Sequence, residues 1–157
     1  MSLPGRRVSV FLDEVRVPAS NMLPGTDGLG SPLACLNQAR FGIASGAVGA
    51  ARACFDEALN YAQERQVFGK PIASKQLIQK QLADCATQIA LGQWMMLHLC
   101  REKDAGRLLP SQVSMSKRNN VAMALEVART CRSILGANGI SAEFAAIRHA
   151  LNLESVY

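Results

Sequence analysis

Residues 33–66 read LACLNQARFGIASGAVGAARACFDEALNYAQERQ, and only scattered glycines interrupt a helix-forming pattern there. Apolar and small residues recur at steps of three and four, as expected for one face of an α-helix. They are Leu36, Ile43, Ala47, Ala50, Cys54, Ala58 and Tyr61. At 1.5 Å per residue this helix would be about 50 Å long. Gly42, Gly46 and Gly49 share a face of it, which predicts close approach of another backbone or a ligand.

Three more helices follow at short intervals. The second can be capped by Ser74, and the third starts behind Pro110 and ends at the turn 136–139. Ser141 can cap a shorter fourth helix over about residues 142–152. Antiparallel helices joined by short loops predict an all-α, up-down four-helix bundle.

The start of the chain has a different pattern. Residues 8–17 are rich in β-branched residues, partly alternate, and are stopped by Pro18, so they predict one strand. No second strand is visible downstream, and residues 21–32 read as a linker. We therefore expect residues 1–31 to be the remnant of a β domain with its linker, and residues 32–157 to form the helical bundle.

The composition excludes several classes of protein. Hydrophobic residues at 49% and a mean hydropathy of +0.09 exclude a disordered chain. The net charge is +5, and twelve arginines stand against five lysines, a bias that favours binding of phosphates or carboxylates. The basic residues are scattered and aromatics make up 5%, so we expect no nucleic-acid partner.

The cysteines indicate the compartment. Five widely spaced cysteines form no C-x-x-C pair, which predicts buried, reduced thiols and a reducing compartment. This would be the cytoplasm in a bacterium or the mitochondrial matrix in a eukaryote.

The longest uncharged run, residues 85–100, contains polar residues, so we expect no membrane span. His98 and His149 have no glutamate three residues before them, so we expect no metal site in the bundle.

Two segments are candidates for binding an anion. The turn 64–72, ERQVFGKPI, sets Arg65, Phe68 and Lys70 around one helix end, although an arginine there also complements the helix dipole by itself. Residues 133–139, SILGANG, can let a ligand lie on the main chain, or simply form a Schellman ending.

Four motifs in order resemble those of the acyl-CoA dehydrogenase family, flavoenzymes with a helical domain, a β domain and a C-terminal four-helix bundle. The motifs are VRVP at 15–18 with NMLPG at 21–25, RQVFGKPI at 65–72 with Gln76, LAD at 82–84, and LGANG at 135–139. Three further strings resemble the branch of the family that acts on glutaryl-CoA. These are LNQARFGIA at 36–44, KRNN at 117–120 and IRHALNLE at 147–154.

The resemblance implies an FAD-dependent oxidation of an acyl-CoA thioester. A catalytic glutamate removes the α-proton while the β-hydride passes to FAD, and in this branch glutaryl-CoA also loses carbon dioxide to give crotonyl-CoA. The implied partners are the acyl-CoA substrate, an electron-transfer flavoprotein and further copies of the chain in a homotetramer.

The same resemblance implies two sets of site residues. For FAD, partly across a subunit interface, they are Arg65, Phe68, Gln76, Ser133, Ile134, Leu135, Gly136 and Ala137. For the acyl-CoA they are Leu33, Ala34, Cys35, Leu36, Asn37, Gln38, Ala39 and Arg40, with Asn37 and Arg40 as the polar contacts.

The implied catalytic base is not among these residues. In the family it belongs to a Tyr-Glu-Gly-Thr segment shortly after the stretch that matches Glu154–Tyr157, and this sequence contains no such segment. We therefore expect a truncated bundle that is catalytically inert by itself. The alternatives are a stand-alone helical interaction module, or a part of a different short-chain acyl-CoA dehydrogenase.

Overall fold

Four α-helices dominate the computed structural model, which describes residues 9–26 and 28–157. They are α1 (Gly30–Glu64), α2 (Gln76–Asp104), α3 (Pro110–Ile134) and the shorter α4 (Ala145–Glu154). A small antiparallel hairpin, β1 (Gln66–Val67) and β2 (Lys70–Pro71), joins α1 to α2. Short 3-10 helices cover Ala19–Asn21, Ile72–Ser74 and Gly136–Ile140. The predicted all-α four-helix bundle is confirmed.

The core forms where α1 and α3 pack together along their length, with α2 and α4 each packed against both. The side chains that α1 buries are mostly small: Ala44, Ala47, Val48, Ala51, Cys54, Ala58 and Ala62. Against them α3 places larger ones, among them Val121 and Leu125. Small residues on one helix allow the larger side chains of the other to fill the space between the axes.

Two fully buried polar side chains of α3 are satisfied by the neighbouring helices. The Asn120 Nδ2 donates to the Ala44 carbonyl of α1 at 3.2 Å, and the Ser116 Oγ donates to the Met96 sulfur of α2 at 3.3 Å. A Cβ at Gly92 of α2 would lie 2.8 Å from the Met123 Cε and 3.4 Å from the Asn120 Oδ1. These contacts fix the register of three helices, because a buried amide without a partner would be costly.

A carboxylate from α1 determines where α4 begins. Glu57 accepts hydrogen bonds from the Ala145 amide, at 3.0 Å to each oxygen, and from the Ala146 amide at 3.3 Å. It thereby satisfies amides that have no partner inside the helix and complements the helix dipole. The predicted start at residue 142 is therefore wrong. Ser141 does not cap the helix but accepts from the Glu143 amide at 3.3 Å.

Two other predicted boundaries differ from the structure. Ser74 does not cap α2, because its Oγ donates to the Pro71 carbonyl at 2.7 Å and closes the turn before Gln76. The first helix starts at Gly30, so the last part of the predicted linker is helical. Pro32 is tolerated there, since amides of the first turn lack an intrahelical partner in any helix.

The strand predicted for residues 8–17 does not form over residues 9–17, and Val8 lies outside the described residues. The side chains there are exposed, including Phe11 and Val17. A strand needs a hydrogen-bonded neighbour, and the β1–β2 hairpin is the only strand pairing in the described part of the chain. The assignment of residues 1–31 to a β domain stays a prediction.

The glycine face has no close neighbour among the described residues, and two of the cysteines differ from expectation. A Cβ built at Gly42, Gly46 or Gly49 meets nothing within 4 Å, so the described residues supply no close approach there. All five cysteines are free, but Cys35 and Cys100 are exposed rather than buried. No helix of residues 9–26 and 28–157 is long and apolar enough to cross a membrane.

Cysteines 54, 85 and 131 are buried as predicted. Burial raises the pKa of the Cys54 thiol to about 12, with a smaller contribution from the nearby Glu57 carboxylate. This thiol stays protonated at neutral pH and behaves as a small apolar side chain of the core.

We predict that Gly139→Ala destabilises the chain by about 1–3 kcal/mol, the usual cost of overpacking. Gly139 is buried, and an added Cβ would lie 2.1 Å from the Arg132 carbonyl oxygen, which is backbone and cannot move aside cheaply. Urea unfolding followed by circular dichroism measures the change. Gly46→Ala is the matched control, because its Cβ meets open space in α1 and it should stabilise by roughly 0.5–1 kcal/mol. Equal midpoints for the two variants would contradict the packing described for the 136–140 turn.

Candidate functional site

A groove of about 360 Å³ lies where the end of α1 meets the end of α3, and we call it the Arg65 groove. Its lining residues are Tyr61, Arg65, Val67, Ile72, Ile134, Leu135, Gly136, Ala137 and Asn138. Arg65 is the only charged residue among them. The groove therefore combines one cation with apolar walls and a glycine turn.

The backbone of Arg65 is held on both sides. Its amide donates to the Tyr61 carbonyl at 2.8 Å, and its carbonyl accepts from the Ile72 amide at 2.9 Å. The side chain is exposed and forms no ion pair with any carboxylate of the described residues. Because the Arg65 backbone is held in place and its guanidinium has no ion pair among the described residues, that guanidinium can bind an anionic group in a bidentate manner.

The opposite wall is the end of α3. Ile134 and Leu135 are buried, and Gly136 has a φ of +60°, which turns the chain into the 3-10 helix Gly136–Ile140. Without a side chain at Gly136, the main chain borders the groove directly. The two walls are linked by the Asn138 Nδ2, which lies 3.4 Å from the Tyr61 hydroxyl.

The hairpin beside the groove carries a strained aromatic residue at its tip. Phe68 and Gly69 have φ values of +54° and +75°, the signs required by a type I′ turn. This turn favours Asn-Gly, and a phenylalanine with positive φ is rare because its Cβ crowds the backbone. The Phe68 ring is 93% exposed, so no packing against the described residues compensates for the strain. Strained residues of this kind cluster at functional sites.

Five of the eight residues predicted for FAD line this one groove: Arg65, Ile134, Leu135, Gly136 and Ala137. The other three are exposed and do not line it. Phe68 is at the hairpin tip, Gln76 is the first residue of α2, and Ser133 is in the last turn of α3. The sequence prediction missed the lining residues Tyr61, Val67, Ile72 and Asn138. Tyr61 could have been found, since it lies one helical turn before Arg65.

The segment predicted to bind the acyl-CoA, Leu33–Arg40, forms the first turns of α1 and buries no side chain completely. Two of its polar residues contact the other long helices. The Arg40 Nη1 donates to the Ser114 Oγ of α3 at 2.8 Å. The Gln38 Oε1 accepts from the Lys103 Nζ of α2 at 2.9 Å. These bonds fix the direction of the Arg40 and Gln38 side chains. Leu33 and Leu36 are exposed.

The two predicted sets of residues lie at opposite ends of α1. Asn37 and Arg65 are 28 positions apart, which along a straight helix is about 42 Å at 1.5 Å per residue. One molecule of this chain cannot bring both sets to the same reacting atoms.

The KRNN string lies beside a second cavity of about 600 Å³. Its lining residues are Met115, Lys117, Arg118, Asn119, Val121, Ala122 and Tyr157. The Lys117 Nζ donates to the Val156 carbonyl just after α4, and the Asn119 Nδ2 donates to the Asn120 Oδ1 at 3.1 Å. Lys117 thus anchors the residues just after α4 to α3, and Asn119 supports the neighbouring buried Asn120.

A four-helix bundle that presents, among the described residues, one arginine without an ion pair and a glycine turn in a single groove is suited to binding an anionic ligand. Residues 26–156 match the family described as acyl-CoA dehydrogenase, C-terminal domain. The chain belongs to the acyl-CoA dehydrogenase family, and the resemblance seen in the sequence is confirmed.

The similar proteins include several glutaryl-CoA dehydrogenases. The enzyme from Desulfococcus multivorans is 36% identical over 151 residues, which cover 94% of this chain and 39% of that protein. A crystal structure of glutaryl-CoA dehydrogenase from Mycobacterium smegmatis is 55% identical with a TM-score of 0.87, covering 90% of this chain and 37% of that one. A second, in complex with FADH2, is 49% identical with a TM-score of 0.89, covering 92% and 37%. The chain thus spans less than two fifths of the length of these relatives.

We predict that Phe68→Gly stabilises the chain by about 1 kcal/mol, because glycine adopts a positive φ without the cost borne by other residues. The ring is almost fully exposed, so its removal sacrifices little packing. The urea midpoint measures the effect. Phe68→Ala is the control: it removes the same ring but keeps the Cβ, so its midpoint should not rise. A loss of stability in Phe68→Gly would show that the ring packs on the bundle.

Proposed function

We propose that this chain forms the C-terminal bundle of a flavin-dependent acyl-CoA dehydrogenase whose substrate is glutaryl-CoA. The observation that carries the proposal is the Arg65 groove, which joins two sequence motifs 70 positions apart around one cation. Similarity to glutaryl-CoA dehydrogenases over most of the chain supports the choice of substrate. The products would be crotonyl-CoA and carbon dioxide, and the electrons would pass to an electron-transfer flavoprotein.

The groove fits part of FAD. The pyrophosphate of FAD is an anion with oxygen pairs that match the guanidinium of Arg65. Gly136 lets the flat or extended parts of a dinucleotide approach the main chain without a side chain in the way. When bound, FAD supplies the hydride acceptor. Arg65 and the main chain at 134–137 hold the dinucleotide in place.

The distance between the two predicted sites supports an assembly of several copies. Arg65 and Asn37 are about 42 Å apart along α1. We infer that the Arg65 groove serves FAD bound with a neighbouring copy, while Leu33–Arg40 serves an acyl-CoA in its own copy. A homotetramer would contain pairs of such shared sites.

In the substrate segment, Asn37 is half-buried and Arg40 is held by Ser114, so each has a restricted direction. We propose that they give the thioester substrate its polar contacts, and that Leu33 and Leu36 give apolar ones. No residue of this sequence is assigned as the base that removes the α-proton. The chain by itself is therefore expected to be inactive. A reducing compartment is proposed as well, since all five cysteines are free.

The first test measures flavin content and substrate choice in a full-length dehydrogenase that contains this chain. We expect a yellow protein that oxidises glutaryl-CoA faster than butyryl-CoA and releases carbon dioxide. Faster oxidation of butyryl-CoA would favour a different short-chain acyl-CoA dehydrogenase. A protein that releases no flavin on unfolding would favour the helical interaction module and overturn the proposal. Turnover by the 157-residue chain alone would contradict its expected inactivity.

In the same full-length protein, we predict that Arg65→Gln weakens FAD binding by about 10- to 100-fold, the value of one charge-assisted hydrogen bond of about 1.5–3 kcal/mol. Flavin absorbance per polypeptide after dialysis measures the loss. Lys70→Gln is the matched control, because Lys70 is an exposed cation of the same hairpin that does not line the groove. Equal flavin loss in the two variants would show that only general charge matters.

A further inference from the structure

Two buried cysteines, one on α2 and one on α3, take no part in the proposed function. Cys85 and Cys131 are free thiols that are 5% and 0% exposed. A buried cysteine is often no more than a small apolar residue of the core, as Cys54 is here. Cys85 and Cys131 differ from Cys54 because they contact each other and because one of them lines a groove.

The packing of α2 against α3 brings the two thiols together. The helices run in opposite directions, and a Cβ at Gly92 of α2 would lie 2.8 Å from the Met123 Cε of α3. Cys85 lies about two helical turns before Gly92, and Cys131 lies about two turns after Met123. This register places Cys85 opposite Cys131, and the Cys131 thiol donates a hydrogen bond to the Cys85 sulfur.

Cys85 also lines a groove of about 380 Å³ between α2 and α3, which we call the Cys85 groove. Gln88 of α2 and both Val127 and Thr130 of α3 line it too. The Cys85 groove shares no lining residue with the Arg65 groove. Cys131 is not a lining residue and has no exposed surface. A small molecule in the groove therefore contacts Cys85 and not Cys131.

The two thiols are not equivalent in their acidity. The hydrogen bond from Cys131, aided by Thr130, lowers the pKa of the Cys85 thiol in spite of burial and of the nearby Asp84 carboxylate. The same hydrogen bond, together with burial, raises the pKa of Cys131. Because the thiolate is the nucleophilic form of cysteine, Cys85 is the residue of the pair that reacts first.

We propose that Cys85 and Cys131 form a site of oxidative modification, in which a small hydroperoxide in the Cys85 groove converts the two thiols into a disulfide between α2 and α3. The Cys85 thiolate attacks one peroxide oxygen, so that an S–O bond forms and the O–O bond breaks. With hydrogen peroxide, the second oxygen takes up a proton and leaves as water.

The second step uses the buried thiol. The Cys131 sulfur attacks the sulfenic acid on Cys85, the S–S bond forms, and the S–O bond breaks. The oxygen leaves as a second water that carries the Cys131 proton. Two thiols are thereby oxidised by two electrons, and one peroxide is reduced to two waters. Reduction by a dithiol reverses the change.

The test is made on the 157-residue chain with both exposed thiols removed, as Cys35→Ser/Cys100→Ser. The chain is reduced, desalted and treated with a small excess of hydrogen peroxide, with no flavin or acyl-CoA. Mass spectrometry should show a loss of two hydrogens, and a digest without reductant should contain one linked pair of peptides, with Cys85 joined to Cys131. Dithiothreitol should restore the starting mass.

Single variants in the same background separate the two roles. Cys85→Ser should slow the consumption of peroxide about tenfold or more, because the thiol that lines the groove is gone. Cys131→Ser should stop the reaction at a sulfenic acid on Cys85, which dimedone traps. Cys54→Ser is the matched control: it removes the third buried thiol and should leave the disulfide unchanged. Circular dichroism confirms that each variant is folded.

Recovery of Cys85 and Cys131 as unmodified thiols after treatment would overturn the proposed site, and so would a disulfide that joins Cys54 to either of them. This mapping is made with all three buried cysteines in place, so it does not depend on the folding of the single variants. The result is also independent of the proposed function, since neither flavin nor acyl-CoA is present.

Discussion

The close packing of α1 against α3 is the contact on which the rest of the structure depends. Alanines such as Ala44, Ala51 and Ala58 have no exposed surface at all, so a larger side chain there would force the two helices apart. The Arg65 groove exists only because these helices end side by side, with Arg65 directly after α1 and Gly136 shortly after α3. Asn120 fixes their register by donating to Ala44, which sets where each helix end lies.

The length of α1 has a functional meaning of its own. One end of it carries the exposed segment Leu33–Arg40, and the other carries Arg65. A rigid helix keeps these ends a constant distance apart, so the FAD and the acyl-CoA proposed for the two ends belong to different reaction centres. This separation is why the proposed function needs more than one copy of the chain.

The parts of the fold that follow from local patterns were predictable from the sequence, and those that depend on distant contacts were not. The long helices follow from apolar periodicity, which reflects burial of one face. The start of α4 depends on Glu57, which lies 88 residues before Ala145, whereas the local pattern predicts a cap at Ser141. The predicted strand does not form over residues 9–17, because β-branched residues form a strand only where a neighbouring strand pairs with them.

The candidate site also combines features that local patterns predict with features that depend on distant contacts. Arg65 and the glycine turn were recognisable as motifs, and the structure brings them into one groove. Tyr61 and Asn138 complete the groove through a contact between side chains 77 residues apart, which no local pattern encodes. The exposure of Cys35 and Cys100 was missed because cysteine is buried in most proteins, and that tendency says nothing about a particular helix face.

The connection between α3 and α4 is fastened at both ends, by Gly139 against the Arg132 carbonyl and by Glu57 on the amides of Ala145 and Ala146. The number of residues in this connection is therefore fixed, because an insertion or deletion would disrupt the contact of Gly139 with Arg132 or the hydrogen bonds of Glu57. The turn between α2 and α3, which is exposed around Gly106, is held only by contacts within a few residues, from Arg107 to Glu102 and from the Leu109 amide to the Gln112 side chain. Homologues should vary in length in the turn between α2 and α3 and not in the connection between α3 and α4. A peptide tag or a new terminus should be tolerated best in the turn between α2 and α3.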